Sequence, residues 1–302
     1  MELIKPGIHL DFVGKMKYAI IFSVILTTIC IASVIIHGGL NLGIDFAGGS
    51  IIQVKFQKGM TADKIRGALK STRLENSIIQ QFGPNEFLIR TAESFHDQKL
   101  LDENLNKPLT AAFNKDYEIR RVEVVGSKVG MDFQRKAIFA VILSWLAMLI
   151  YIAWRFEFRY GLGGIIALIH DVIIIIGTIS ILNMEFTISI LAAVFFIIGY
   201  SINDTIVVLD RIRENVKLNP RQKLAETINM SINQTLSRTI LTSFTVFLTV
   251  IALYLFGGPV LHDLSFSLLV GVVFGTYSSV FISCPIVLLF ENLQLSKMKR
   301  KK

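Results

Sequence analysis

Apolar positions come in two textures along this chain. Six runs are almost continuously apolar over the roughly 20 residues that a helix needs to cross a bilayer's hydrocarbon core. They cover 17–36, 136–155, 161–182, 188–209, 238–256 and 264–290. Between the first and second runs, over 37–135, the pattern changes to that of a soluble fold. Ile52, Val54 and Phe56 alternate with Gln53, Lys55 and Gln57, which predicts a half-buried strand. A helix follows, with Thr61 as N-cap and Ile65, Ala68 and Leu69 on its inner face. Strands at 77–82 and 86–91 flank Gly83-Pro84-Asn85, and a helical stretch then carries Leu101, Leu105 and Leu109, with Pro108 able to kink or restart it. A last strand spans 117–125, and the resulting order, β-α-β-β-α-β, is ferredoxin-like. The expected architecture is a polytopic α-helical membrane protein with six transmembrane helices arranged one plus five and an inserted α+β domain. Residues 1–16 precede the first span, 210–237 form a helical loop between spans four and five, and 291–302 form a basic tail.

Composition supports this division. A chain of 302 residues that is 52% hydrophobic and 18% charged, with mean hydropathy +0.57, has more apolar surface than a soluble core can hold. The first run is as long as a span and lacks a small-x-small cleavage pattern, so it is expected to be retained. Basic residues set the orientation. Lys5, Lys15 and Lys17 precede or open span one, Arg155 and Arg159 lie between spans two and three, a set from Arg211 to Arg238 lies between spans four and five, and 297–302 close the chain. The opposite short loops, 183–185 and 257–262, contain no lysine or arginine. The positive-inside rule therefore puts both termini in the cytoplasm and the inserted domain outside, in a multi-pass membrane protein. The net charge of +8 is then a topology and headgroup signal and calls for no nucleic-acid partner. Cys30 and Cys284 both fall within spans, without disulfide or metal-ligand spacing. The inserted domain has no phosphate-cradling glycine loop, no Cys/His cluster and no nucleophile elbow. That points away from an enzyme and from cofactors or metals, toward binding or mechanical work.

Polar groups inside the spans carry the functional signal. Asp204 sits in span four, where a mid-membrane aspartate costs about 2.5 to 3.5 kcal/mol on insertion scales. Lying six residues before Asp210, it is roughly 9 Å inside the cytoplasmic end, so its cost is below the full figure. Ser201, three residues earlier, shares its helix face and is placed to hydrogen-bond it. Arg238 opens span five, and Thr242, Thr245 and Thr249 continue its face. Antiparallel packing of spans four and five would bring Arg238 to the depth of Asp204, where a proton would compete with the ion pair. Span three adds Asp171 after His170, a second candidate proton-coupling site, and span six presents Gly271, Gly275, Ser279 and Ser283 at i+4 spacing, the stripe that lets helices approach closely. Each feature also has a plainer reading. Asp204 could form a static ion pair, Arg238 could snorkel, the threonines could bond their own helix, and Asp171 could cap one.

Three segments together resemble the SecD/SecF family of bacterial protein-export membrane proteins, within the RND superfamily. They are Leu42-Gly43-Ile44-Asp45-Phe46-Ala47-Gly48-Gly49, Ala167-Leu168-Ile169-His170-Asp171, and the run from Gly199 through Asp204 to Asn215, with Ser237-Arg238-Thr239 adding to them. The resemblance covers nearly the whole chain. It implies half of an RND-type transporter, paired with a SecD-like six-span subunit and associated with the SecYEG channel, with YajC and with the translocating preprotein. It also implies use of the proton-motive force to assist protein translocation across the bacterial inner membrane, with Asp204 and Arg238 at the family's intramembrane aspartate and arginine. Gly43, Asp45, Gly48 and Gly49 then form the motif at the base of the exterior domain. Competing readings are an RND lipid or small-molecule exporter, an assembly subunit that does not couple, and an intramembrane aspartyl protease using Asp171 and Asp204. Against the last, Gly161-Leu162-Gly163-Gly164 lacks the acid of the Gly-x-Gly-Asp pattern. The coupling ion, H⁺ or Na⁺, stays open.

Overall fold

In the computed structural model of the chain, described for residues 9–290 apart from 58, 96, 115, 156 and 157, six helices are long and apolar enough to cross a membrane. Lys5 and the basic tail at 297–302 lie outside the described residues. The membrane helices are α1 (Met16–Ile36), α6 (Ser127–Arg155), α7 (Phe158–Ile181), α8 (Ile188–Leu218), α9 (Leu224–Phe256) and α10 (Gly258–Phe281). Several outrun their apolar stretches. The second span's helix starts at Ser127, directly after the last strand, and α8 and α9 continue beyond the apolar core until only 219–223 separate them. Helix α10 breaks at Ile282 and resumes over 283–290, because Pro285 has no N–H to donate back to the preceding turn.

The spans divide by burial. In its most apolar stretch α7 is 67% buried and α8 and the sixth span are each 50% buried, against 11% for α1, 6% for α6 and 11% for α9. Small residues make the central trio possible. A Cβ on Gly271 would strike Ile197 of α8, and one on Gly275 would meet Ser201 Cβ at 3.1 Å. The serines of the same stripe bond their own helix, Ser279 to Thr276 O at 2.8 Å and Ser283 to Ser279 O at 2.9 Å. Both cysteines are free, buried packing residues, and a Cβ on Gly177 of α7 would overlap Cys30.

The inserted domain contains α2 (Ile44–Ala47), β1 (Gly49–Phe56), α3 (Ala62–Leu69), β2 (Ile78–Gly83), β3 (Glu86–Thr91), α4 (Gln98–Leu101), α5 (Lys107–Phe113) and β4 (Tyr117–Val125). Its sheet has the order β2-β3-β1-β4, antiparallel throughout, which is ferredoxin-like. Ile52, Val54 and Phe56 point to the helical face and meet Ile65, Leu69, Leu105 and Leu109 in a closed core. Ala68 and Leu101 pack at its edge. Thr61 is the N-cap residue of α3 but makes no side-chain cap bond. Ahead of Pro108 the chain makes a π-turn, Asp102–Asn106, before α5 restarts. The other face of the sheet looks toward the α7–α8 and α9–α10 connections across a cavity of about 340 Å³, with Gln53, Leu88, Arg90 and Arg121 on one side and Glu185, Thr187 and Asp263 on the other.

Candidate functional site

Two buried carboxylates lie among the spans, in different surroundings. Asp171 of α7 is 1% exposed. Its Oδ2 accepts hydrogen bonds from Ser201 of α8 at 2.6 Å and Ser278 of α10 at 2.8 Å, while His170 Nδ1 stands 3.2 Å from its Oδ1. One carboxylate therefore ties three spans together, and glycine at 275 leaves room for it. The cluster continues outward through aromatic packing, since the His170 ring lies 6.3 Å from that of Tyr277, whose hydroxyl donates to Ala19 O of α1 at 2.7 Å. Ser201 thus serves Asp171 and not Asp204. One residue of α8 can share a helix face with Asp204 and still point toward α7 and α10, because those helices fill the groove on that side.

Asp204 is 3% exposed and belongs to the α8–α9 boundary. Ser243 donates to its Oδ2 at 3.2 Å and Thr242 to its Oδ1 at 3.5 Å, the latter at the limit of a hydrogen bond. Ser243 in turn accepts from Thr276 of α10 at 2.7 Å, so a hydroxyl relay leads from the carboxylate into the sixth span. Arg238 is the correction to the sequence reading. Among the described residues it forms no ion pair within 4 Å of Asp204, and it lies exposed on α9. The reason is axial: Arg238 precedes Thr242 by one helical turn, about 6 Å along α9, so Thr242 and Ser243 occupy the level of the carboxylate. Thr245 and Thr249 bond their own backbone, at 2.8 Å to Thr242 O and 3.0 Å to Thr245 O, and face outward.

Ser243, Thr276, Ser278 and His170 complete these clusters without having been singled out as site residues. Ser243 lies five residues beyond Arg238, more than one turn deeper along α9 than the residue the depth argument pointed to. Ser278 follows Gly275 by three residues, on the same face of α10, a signal that small-residue spacing alone does not separate from packing.

The segment from Gly43 to Gly49 forms the base of the inserted domain. Gly48 and Gly49 have φ of +80° and +136°, and side chains there would run into Ser127 and the Thr91 carbonyl. Asp45 lies beside the start of α8, its Oδ2 accepting from Ile188 N at 3.0 Å. The predicted residues therefore divide among three places: the α7–α8–α10 core, the α8–α9 margin, and the base of the inserted domain. Among the described residues no His/Cys/Asp/Glu group could hold a metal ion.

Comparison with known proteins follows the same division. The model for the C-terminal part of protein export membrane proteins SecD/SecF matches residues 105–293, and the SecD/SecF GG motif matches 33–60. Protein translocase subunit SecF of Calditerrivibrio nitroreducens is 42% identical over 302 residues, covering 97% of this chain and 98% of its own. That of Magnetococcus marinus is 44% identical over 296 residues, covering 96% and 95%. The crystal structure of SecDF, a translocon-associated membrane protein from Thermus thermophilus, superposes with TM-score 0.84 at 35% identity over 97% of this chain. SecDF in its super-membrane-facing form superposes with TM-score 0.74 at 33% identity over 100%. The chain spans only 40% and 41% of the length of those two solved chains. With the six spans, the inserted antiparallel sheet and the GG segment at its base all matched, the chain belongs to the SecD/SecF family of protein export membrane proteins.

Proposed function

We propose that this multi-pass membrane protein is the SecF-like half of a SecD/SecF accessory complex of the Sec translocase, using the proton-motive force to assist protein translocation across the bacterial cytoplasmic membrane. On this reading both termini are cytoplasmic, the inserted domain is exterior, and the chain is a transport subunit and not an enzyme. A SecD-like six-span subunit completes the transporter, and the SecYEG channel, YajC and the translocating preprotein are its further partners.

The observation that carries the coupling assignment is Asp204. It is a buried carboxylate that accepts from Ser243, with Thr242 at the limit of a hydrogen bond, and it has no ion-pair partner among the described residues, at a boundary whose outer helix α9 is hardly covered by its own chain. A buried carboxylate without a paired cation is costly when ionised, so loading it with a proton changes the local energy balance. Arg238, one turn nearer the cytoplasm, adds a positive charge that opposes protonation without locking the carboxylate in an ion pair. One charge crossing 100 mV is worth about 2.3 kcal/mol, enough to bias a conformational equilibrium and small enough to require repeated cycles. Asp171 is the second acid of this system, bonded to Ser201, which lies about one turn before Asp204 on the same α8.

The test is export of a secreted substrate into inverted membrane vesicles containing the assembled complex, with and without an imposed proton gradient. Asp204→Asn is expected to keep assembly and to lose the gradient-dependent component. Unchanged stimulation in an assembled Asp204→Asn complex would refute the assignment, and replacing the proton gradient by a sodium gradient identifies the ion.

A further inference from the structure

The connection between α7 and α8 is only 182–187, yet it is fastened to the inserted domain at several points. Residues 41–43 run beside it, with Phe186 N donating to Asn41 O at 2.7 Å and Gly43 N to Phe186 O at 3.0 Å. These bonds form a parallel bridge between Leu42 and Phe186. The approach depends on glycine, since a Cβ at Gly43 would sit 3.0 Å from Thr187 Cγ2 and 3.2 Å from Phe186 O. Immediately beyond, Asp45 accepts from the amide of Ile188, the first residue of α8, whose own N-cap Thr187 bonds Ile190. A carboxylate on the amides of a helix start satisfies a donor that has no partner within the helix and complements the helix dipole. Phe46 and Phe186 pack beneath, ring centroids 5.4 Å apart.

A second fastening comes from the sheet. Arg90 lies in β3, which is flanked by β1 and β2, and its pairing partners there are Ile51 and Ile78. From the face turned toward the spans, its guanidinium reaches Glu185 at 3.0 Å, with side chains 20% and 14% exposed. Partial burial makes this pair less screened than the exposed pairs of the same domain, such as Arg66 with Asp63.

We propose that Asp45, Arg90 and Glu185 are positioning residues of a strut joining the α7–α8 hairpin to the inserted domain. The hairpin carries both intramembrane acids, and the strut delivers its displacement to the sheet. Without it, a short loop would absorb the movement. Asp45 grips the helix end, the Arg90–Glu185 pair grips the sheet, and the 41–43 segment bridges the two. The role as a transmission element rests on the proton-coupled reading above; the strut itself does not.

Two measurements on the whole protein separate these levels. In vesicles with the assembled complex, Arg90→Glu and Glu185→Arg should each lose most of the gradient-dependent stimulation, and the double charge swap should regain much of it. A merely structural salt bridge would not show that rescue in a gradient-specific component. In the detergent-solubilised chain, hydrogen exchange should speed up at the amides of Gly43, Phe186 and Ile188 in Asp45→Ala and in Glu185→Arg, and return toward wild type in the swap. If the single variants keep full stimulation while Asp204→Asn abolishes it, the strut is not the transmission path and the proposal fails. If Asp204→Asn itself has no effect, the coupling reading fails, and unaltered exchange at the three amides would then also remove the strut.

Discussion

The two acids in the membrane part show how differently one helix bundle can treat a carboxylate. Asp171 lies among α7, α8 and α10, with two short hydroxyl bonds and a histidine nitrogen around it, in the most buried part of the spans. Asp204, four residues beyond Tyr200 on the same α8, accepts hydrogen bonds among the described residues only from Ser243 and a distant Thr242, beside a helix whose outer face the chain leaves uncovered. A carboxylate closely bonded by buried donors favours one arrangement and rigidity, whereas a loosely held carboxylate at an open boundary can change its protonation or partner at lower cost. On the proposed reading, Asp171 also holds the three central spans together, while Asp204 stands where a group covering α9 can reach it.

The largest effect expected is on transport. Asp204→Asn should remove the gradient-dependent component of export while leaving the melting temperature of the solubilised chain nearly unchanged, because an amide of equal size still accepts from Ser243. Asp171→Ala should do the reverse in emphasis, with a loss of thermal stability first. Leaving the buried Ser201 hydroxyl without its acceptor costs about 1–3 kcal/mol, and a melting curve in detergent reads it. Equal melting temperatures for the two variants would break the comparison. Gly275→Ala sharpens it further, since the new methyl would stand 3.1 Å from Ser201 Cβ and press on the hydroxyl that serves Asp171. Overpacking of that kind costs about 1–3 kcal/mol, and the variant should melt earlier than wild type. At the small end, Thr245→Val and Thr249→Val should change the stability of the isolated chain by less than about 0.5 kcal/mol, because both side chains face outward and bond only their own helix. Reduced co-purification of the SecD-like subunit with these two variants would mark that face as the surface it covers.

Much of the fold was legible because hydrophobic pattern and secondary structure share a period. The continuous runs announce spans, and the alternation from Ile52 to Phe56 gives the face of β1 that packs on α3 and α5. Helix ends were less legible, since α6 begins at Ser127 and α8 runs to Leu218, both past the continuous apolar runs that mark the spans. The membrane aspartates stood out by their cost, and the glycines of residues 43–49 by their density. Their partners did not. Helical spacing put Ser201 with Asp204, and depth put Arg238 there, because periodicity fixes positions on one helix and says nothing of its rotation against the next.

The sequence by itself therefore determined that there are six spans, that an antiparallel sheet domain interrupts them after the first, and which acids are out of place in lipid. Those properties follow from transfer energies and backbone periods, which are local. Only the tertiary structure decided that Ser201 serves Asp171, that Ser243 in place of Arg238 reaches Asp204, and that Asp45 and Arg90 fasten the inserted domain to the α7–α8 hairpin. Those pairings depend on how closely glycine lets helices approach and on the angle at which each then faces its neighbour, and neither quantity is written in any single segment.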